Sequence, residues 1–293
     1  MKKSLLYLAF LASFAGMQSC KNASFEKTKS GLMYKIISDG KGELLKPGDF
    51  VKLHFTQTLR DSLLGGTENS IPAYVRVDSV EGDYSPMEIL TMTRKGDSVI
   101  IIQLADTIAT KSPMGMPPFM KKGDQVKISM RILEVFKDEA SVEADRNEEV
   151  AKFKSNEIQV LKDYIASNNI NANQAESGIF FEMLKEGTGA TIDSGNYVSV
   201  LYKGTLLDGS VFDQNMDTVA NPAAQPLNFT VGQNMTIEGF EAGIKMLKQG
   251  GRGKIYIPSS MGYGNRPVGP NGKGNDILIF EVEILDVKDK QPN

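Results

Sequence analysis

The chain repeats itself once, and that repeat constrains its fold more than any other feature. Residues 30 to 61, SGLMYKIISDGKGELLKPGDFVKLHFTQTLRD, return 147 positions later, without a gap, as SGIFFEMLKEGTGATIDSGNYVSVLYKGTLLD. Nine positions are identical, and four of them are glycines: Gly31, Gly40, Gly42 and Gly48 meet Gly178, Gly187, Gly189 and Gly195. Glycine recurring in matched places predicts the same turns in both copies, because glycine enters left-handed backbone at little steric cost. An alternating run follows in each copy, Val51, Leu53, Phe55 and Val198, Val200, Tyr202, and a period of two predicts a half-buried strand. Later stretches also pair: MTRKGDSVIII (92–102) with MLKQGGRGKIY (246–256), and MRILEV (130–135) with VEILDV (282–287). At 293 residues each copy has roughly a hundred or more residues and can bury its own core, so this is a tandem of two domains rather than a solenoid.

Between the copies lies SVEADRNEEVAKFKSNEIQVLKDYIASNN, residues 141–169. Its apolar residues Val150, Phe153, Ile158, Leu161, Tyr164 and Ile165 fall near helical spacing, and Glu148 and Lys152 form a favourable i,i+4 pair. The pattern predicts one long amphipathic helix. Its stripe either packs on a flanking domain, which the pattern favours, or forms a dimerisation or client-facing surface.

Charged residues make up 24% and hydrophobic residues 41% of the chain, and the formal charge is −3. This is ordinary globular composition, and nothing in it marks a nucleic-acid binder. His54 is the only histidine and Cys20 the only cysteine, too few for a His-based triad, a zinc site or an internal disulfide, so no metal or cofactor is expected. The Gly-rich GNRPVGPNGKGND (264–276) lacks the GK[ST] ending of a phosphate loop and reads as a surface loop. The start, MKKSLLYLAFLASFAGMQSC, has a basic end, an apolar run and small residues before Cys20, the design of a secretory signal. A lone cysteine there resembles a bacterial lipidation site, although Met17-Gln18-Ser19 is a loose version of the small-apolar lipobox; the alternative is an incidental cysteine in a signal cleaved elsewhere. Acyl chains on Cys20 would hold an exported protein to a bacterial membrane, at its periplasmic face or the cell surface.

The second copy reads GSVFDQN at 209–215, and Gly65 and Gly66 stand in the first copy where Phe212 and Asp213 stand in the second. A fold that survives without the pair in one copy points to a site in the other. From about Gly178 to Lys288 the second copy resembles the FKBP-type peptidyl-prolyl isomerase family, on VSVLYKGTLLDGSVFD (198–213), PLNFTVGQNMTIEGFEAGIKMLKQGGRGKIYIPSSMGYG (226–264) and DILIFEVEILDV (276–287). The resemblance implies an α+β fold: two FKBP-like domains, each a curved antiparallel sheet around a short helix (Glu238 to Leu247 in the second), joined by the long helical linker. The expected boundaries are 1–19 signal peptide, 20–29 tether, 30–137 degenerate domain, 138–176 linker and 177–290 isomerase domain.

The same resemblance implies a peptidyl-prolyl cis-trans isomerase acting on proline-containing unfolded or nascent exported proteins. Catalytic roles would fall to Tyr202, Phe212, Asp213, Ile237 and Tyr263. Phe240 would floor the pocket, walled by Tyr202, Phe212 and Phe280, with Leu227, Phe229 and Thr236 also binding substrate; for Phe229 and Phe280 a plain core role is an equally good reading. The Ile237 N–H and Tyr263 hydroxyl would hold substrate carbonyls, and Asp213 would accept from the Tyr202 hydroxyl. Several positions depart from the family: Phe240 stands where Trp is usual, Leu227 where many members carry an aromatic, Gln214–Gln225 is long and lacks Arg and Lys, and Asn271–Asn275 replaces an apolar rim. The first copy has no IEGF-like segment before Met92 and no Tyr-Gly after Ile102. Its loop KSPMGMPPFMKK (111–122) is either a client-binding surface or a cover for its own vacant pocket. The alternative function is a non-catalytic chaperone or assembly module on the same fold.

Overall fold

The computed structural model describes residues 24–78, 84–111, 115–216 and 224–291; the signal segment and Cys20 lie outside them. The first copy contributes strands β1 (Glu26–Lys27), β2 (Met33–Ile37), β3 (Phe50–Leu59), β4 (Ser62–Gly66), β5 (Ala73–Arg76) and β6 (Ser98–Leu104), helix α1 (Ala105–Lys111) and strand β7 (Gln125–Phe136). Helix α2 (Glu139–Ser167) follows. The second copy contributes β8 (Asn173–Gln174), β9 (Phe180–Lys185), β10 (Tyr197–Leu206), β11 (Val211–Gln214), β12 (Leu227–Thr230), helix α3 (Glu238–Ile244), β13 (Arg252–Ile257) and β14 (Leu278–Lys288). Strands β1–β7 form one seven-stranded sheet and β8–β14 another, so the chain is α+β as expected.

The repeat is visible in the element boundaries. Strands β8, β9 and β10 begin 147 residues after β1, β2 and β3, while β12 and β13 begin 154 after β5 and β6. The extra length therefore falls between β11 and β12. Where α3 stands in the second copy, the first has a seven-residue 3-10 turn, Pro86–Met92, started by a Ser85–Glu88 capping box and burying Ile89 and Leu90. A short helical element thus persists in the first copy without the IEGF sequence.

The chain divides into two compact units. One takes in the chain up to Pro47, Gln57–Leu64 and Val77–Leu133. In it β1 pairs with β2, β2 with β6 and β6 with β7, all antiparallel. Glu26 and Lys27, within the stretch read as a tether, pair with Tyr34 and Met33. Phe119, in the Met- and Phe-rich loop, is exposed.

The other unit takes in Gly48–Thr56, Gly65–Arg76 and Glu134–Asn293. Its main sheet has the order β11-β10-β14-β13-β9-β8, with β12 on β10. The alternation read from the sequence holds: Val198, Val200, Val282 and Ile284 are fully buried in one core with Phe229, Phe240 and Ile244. Helix α3 lies close to β13 because Gly239 and Gly243, four apart and so on one face, present no side chain; a Cβ on either would stand 2.3 or 2.4 Å from Ile257 or Ile255. It ends at Ile244, three residues before the expected end, and a tighter turn continues with Leu247 N–H donating to Ile244 O.

Helix α2 is a single helix of 29 residues capped by Asp138, whose side chain accepts from Ser141 N–H. Near its C-terminal end Leu161 and Ile165 pack with Phe180, Tyr256, Ile277 and Ile279, so that part of the stripe is covered by its own flanking sheet. Near its N-terminal end Lys52 of β3 pairs with Asp145 and Glu149 at 2.8 and 3.1 Å, and Tyr74 of β5 donates to Asp145. Burial opposes the charge on Lys52, but the hydrogen bonds that it donates to both carboxylates outweigh it and raise its pKa. The Lys52 hydrogen bond lowers Glu149, and Asp145 stays below its ordinary value although burial alone would raise it. Carboxylates held low stabilise the fold above their unfolded pKa, and that contribution disappears as pH falls through the folded pKa. Thermal unfolding followed from pH 7 down through the carboxylate range should therefore fall less steeply in Lys52→Met than in the wild type; equal slopes would show that the cluster contributes nothing.

Candidate functional site

Residues 202 and 204 of β10 share a face of the sheet, because side chains alternate along a strand. Opposite them β11 carries an extra residue: Asp213 pairs with Gly204 and Val211 with Thr205, with a register shift between. Phe212 is therefore the inserted residue of a β-bulge, a device that re-aims side chains. In a regular strand Phe212 and Asp213 would point to opposite faces; here both reach the face of Tyr202 and Gly204. The Tyr202 hydroxyl donates to Asp213 Oδ2 at 2.6 Å. The Phe212 ring lies over Gly204, where a Cβ would come within 2.6 Å of it, and Gly269 closes on the Phe212 Cβ from elsewhere at an equivalent 2.8 Å.

Aromatic rings meet edge to face around this point. Phe280, opposite Gly204 on β14, stands 5.1 Å from Phe240 and 5.5 Å from Phe212, with interplanar angles of 77° and 87°. Tyr202 meets Phe240 at 6.0 Å and 81°. Such geometry sets the electropositive ring edge against the electronegative face, and adds stability beyond the area buried. The rings leave a cavity of about 190 Å³ lined by Tyr202, Asp213, Leu227, Met235, Thr236, Ile237, Phe240, Tyr263 and Phe280. Eight of the ten residues expected at the site line it. Phe212 and Phe229 do not: Phe212 stands behind the wall against Phe280 and Tyr263, and Phe229 is 1% exposed, tilted against Phe240 at 6.3 Å. Each acts as a buttress, Phe212 because Gly204 leaves it a seat and Phe229 because β12 turns it into the core.

Two donors at the cavity are unspent. Among the described residues neither the backbone N–H of Ile237 nor the Tyr263 hydroxyl has a hydrogen-bond partner. Burial pushes the Tyr263 phenol up, and the Asp213 carboxylate adds to the shift. Burial likewise raises Tyr202, reinforced by its hydrogen bond to Asp213. Both phenols therefore stay protonated at neutral pH, Tyr202 committed to Asp213 and Tyr263 available.

Sequence reasoning missed the residues that hold the site in place. Glu241, buried in α3, accepts from Gly232 N–H at 2.8 Å and from the Thr236 hydroxyl at 3.5 Å, fixing the loop that delivers Met235, Thr236 and Ile237. Asn215 is 8% exposed; its Oδ1 accepts from Tyr202 N–H, and its amide donates to Val200 O and Gln225 O. Met235 lies at the rim, 61% exposed. Residues 217–223 of the long segment lie outside the described residues, and the Asn271–Asn275 turn is held by Asp276, which accepts from Lys273 and Gly274 N–H.

In the second copy an antiparallel sheet closes over one short helix, with an aromatic cavity between them. Residues 189–285 match the family model described as FKBP-type peptidyl-prolyl cis-trans isomerase. The FK506-binding protein of Neisseria meningitidis serogroup B is 39% identical over 110 residues, covering 38% of this chain and 96% of that protein. The FKBP-type peptidyl-prolyl cis-trans isomerase FkpA of Buchnera aphidicola is 35% identical, over 41% of this chain and 44% of that one. A solved peptidyl-prolyl cis-trans isomerase from Pseudomonas syringae covers 46% of this chain and 96% of its own, at 26% identity and a TM-score of 0.38. The match covers 28% of the FK506-binding protein 4 of Rhizopus delemar and 44% of the Buchnera protein, less than half the length of either. It belongs to the FKBP-type peptidyl-prolyl cis-trans isomerase family.

The seat of Phe212 supplies a direct test. Gly204→Val should force the ring off β10 and destabilise the second copy by about 1–3 kcal/mol, the usual cost of overpacking. Urea unfolding reads it, and an unchanged midpoint would mean that the ring has room to move.

Proposed function

We propose that the chain is a peptidyl-prolyl cis-trans isomerase that assists the folding of exported proteins, using non-covalent catalysis in an apolar pocket of its C-terminal domain. The barrier to rotation about a peptide bond is about 18–20 kcal/mol because rotation removes amide resonance. A prolyl bond already tolerates the cis form, so catalysis needs no bond to break. The twisted imide is less dipolar than the planar one, and a dry, aromatic pocket favours it over its planar ground state. The observation that carries the reading is the Tyr202–Asp213 hydrogen bond at the cavity wall, with the Ile237 N–H and Tyr263 hydroxyl left free beside it. In this reading Phe240 seats the proline ring. Ile237 N–H and Tyr263 Oη hold carbonyls of the substrate on either side, and Asp213, oriented by Tyr202, faces the carbonyl that turns.

The test is isomerisation of an Ala-Leu-Pro-Phe peptide by the full chain. The wild type should accelerate it, and Asp213→Ala and Tyr263→Phe should each lower kcat/KM by about tenfold, the equivalent of about 1.4 kcal/mol. A wild-type rate equal to the uncatalysed one would leave the fold as a non-catalytic binding module.

The N-terminal segment supports export and anchoring through Cys20, with proline-containing unfolded chains as the partners met outside the cytoplasm. Among the described residues no helix is long and apolar enough to cross a membrane. Expressed in a bacterium with lipoprotein processing, the wild type should partition with membranes and Cys20→Ser should not. Equal partitioning of the two would defeat the anchor.

A further inference from the structure

We propose that Glu157 of α2 is a positioning residue for Tyr263, which makes the linker helix a working part of the isomerase site. The inference rests on the function proposed above. Glu157 is 4% exposed, on a helix where Glu143 and Glu148 lie out in solvent. Its Oε1 accepts the backbone N–H of Ser259 at 2.7 Å. Ser259 opens the 3-10 turn Ser259–Met261, whose own N-cap residue is Pro258. Proline has no side-chain acceptor to cap the turn, so the cap comes from a residue 102 positions away on another element.

That cap governs the frame around Tyr263. The carbonyl of Ser259 accepts from Gly262 N–H at 2.9 Å and from Gly264 N–H at 3.0 Å, the residues on either side of Tyr263. One residue, Ser259, is thus tied to α2 by its N–H and to both neighbours of Tyr263 by its carbonyl. Local geometry alone does not account for this arrangement. Glu157 Oε2 and Ser259 Oγ are both buried with no partner among the described residues, and under-satisfied buried polar groups are costly. A side-chain oxygen kept there supplies the acceptor that Pro258 cannot. The Tyr263 hydroxyl has no partner of its own among the described residues, so its position depends on its backbone and ring contacts. Fixing that backbone is what Glu157 contributes.

The experiment uses the full chain with Glu157→Ala, Glu157→Gln, Tyr263→Phe and the Glu157→Ala/Tyr263→Phe double variant. Glu157→Ala should lower kcat/KM on the Ala-Leu-Pro-Phe peptide about tenfold, and Glu157→Gln, whose amide oxygen still accepts, should recover most of it. In the Tyr263→Phe background Glu157→Ala should add less than about twofold, because the two residues act as one unit. Amide exchange at Gly262 and Gly264 should accelerate in Glu157→Ala while that at Asp213 does not, and the Tyr263 ring resonance should move. A tenfold loss of the same size in both backgrounds overturns the inference, as does an unmoved Tyr263 resonance. If the wild type does not isomerise the peptide, the proposed function fails, and amide exchange and the ring resonance still decide whether Glu157 positions Tyr263.

Discussion

One inserted residue in β11 sets the geometry of the whole cavity. The bulge at Phe212 puts two adjacent side chains on one face, which no regular strand can do, and each meets a different need of that face. Asp213 fixes the Tyr202 hydroxyl, and Phe212 supports Phe280 and Tyr263 from behind. Gly204 makes the arrangement sterically feasible, since the Phe212 ring lies where a Cβ would otherwise stand. Removing the bulge would leave either the carboxylate or the ring facing the wrong way, so neither residue can be understood without the backbone between them.

The first copy shows what the same frame becomes without that device. Its strands β1 to β3 keep the spacing of β8 to β10, yet Gln57 stands where Gly204 stands and Gly65-Gly66 replace the aromatic and the acid. A Cβ on Gly66 would meet the Phe55 carbonyl oxygen at 2.6 Å, so that position has closed against any side chain. The loss is a coupled one: the glycine that seats the ring, the ring and the carboxylate have all gone, while buried core residues such as Val51 and Leu53 remain. Burial in the core constrains a sequence independently of any ligand, and Val51 and Leu53 stay buried in the copy that lacks the pair.

Much of the fold was legible because it rests on periodicity. The alternation at Val198 and Val200 and the helix of α2 follow from the physical rule that one face is buried. The matched glycines were only half legible. Gly31 and Gly178 share a left-handed turn, as do Gly48 and Gly195. Gly40 and Gly42 have positive φ, but Gly187 and Gly189 are there for close packing, with a Cβ on Gly187 only 2.4 Å from the Lys248 carbonyl. An identical letter thus answers to two different constraints. The same limit hid Glu241 and Glu157: a buried carboxylate looks like any surface acid until the fold brings it the N–H that it accepts, from nine residues away for Glu241 and from 102 for Glu157. The cavity-lining residues came from family resemblance, which carries side-chain identity; of the two readings left open for Phe229, the structure shows the core one.

Asn215 also has a consequence for how such a chain can change. Its side chain grips β10 at Val200 and Tyr202 and, with the same amide, the carbonyl of Gln225, so the segment between Asn215 and Gln225 starts and finishes at a single point. The entropy of closing a loop grows only with the logarithm of its length. Residues can accordingly be gained or lost between those two anchors at little thermodynamic penalty, without transmitting a displacement to Tyr202. A knot of three hydrogen bonds thus turns this stretch of the rim into a cassette, where new surface chemistry can be tried beside an unchanged cavity wall.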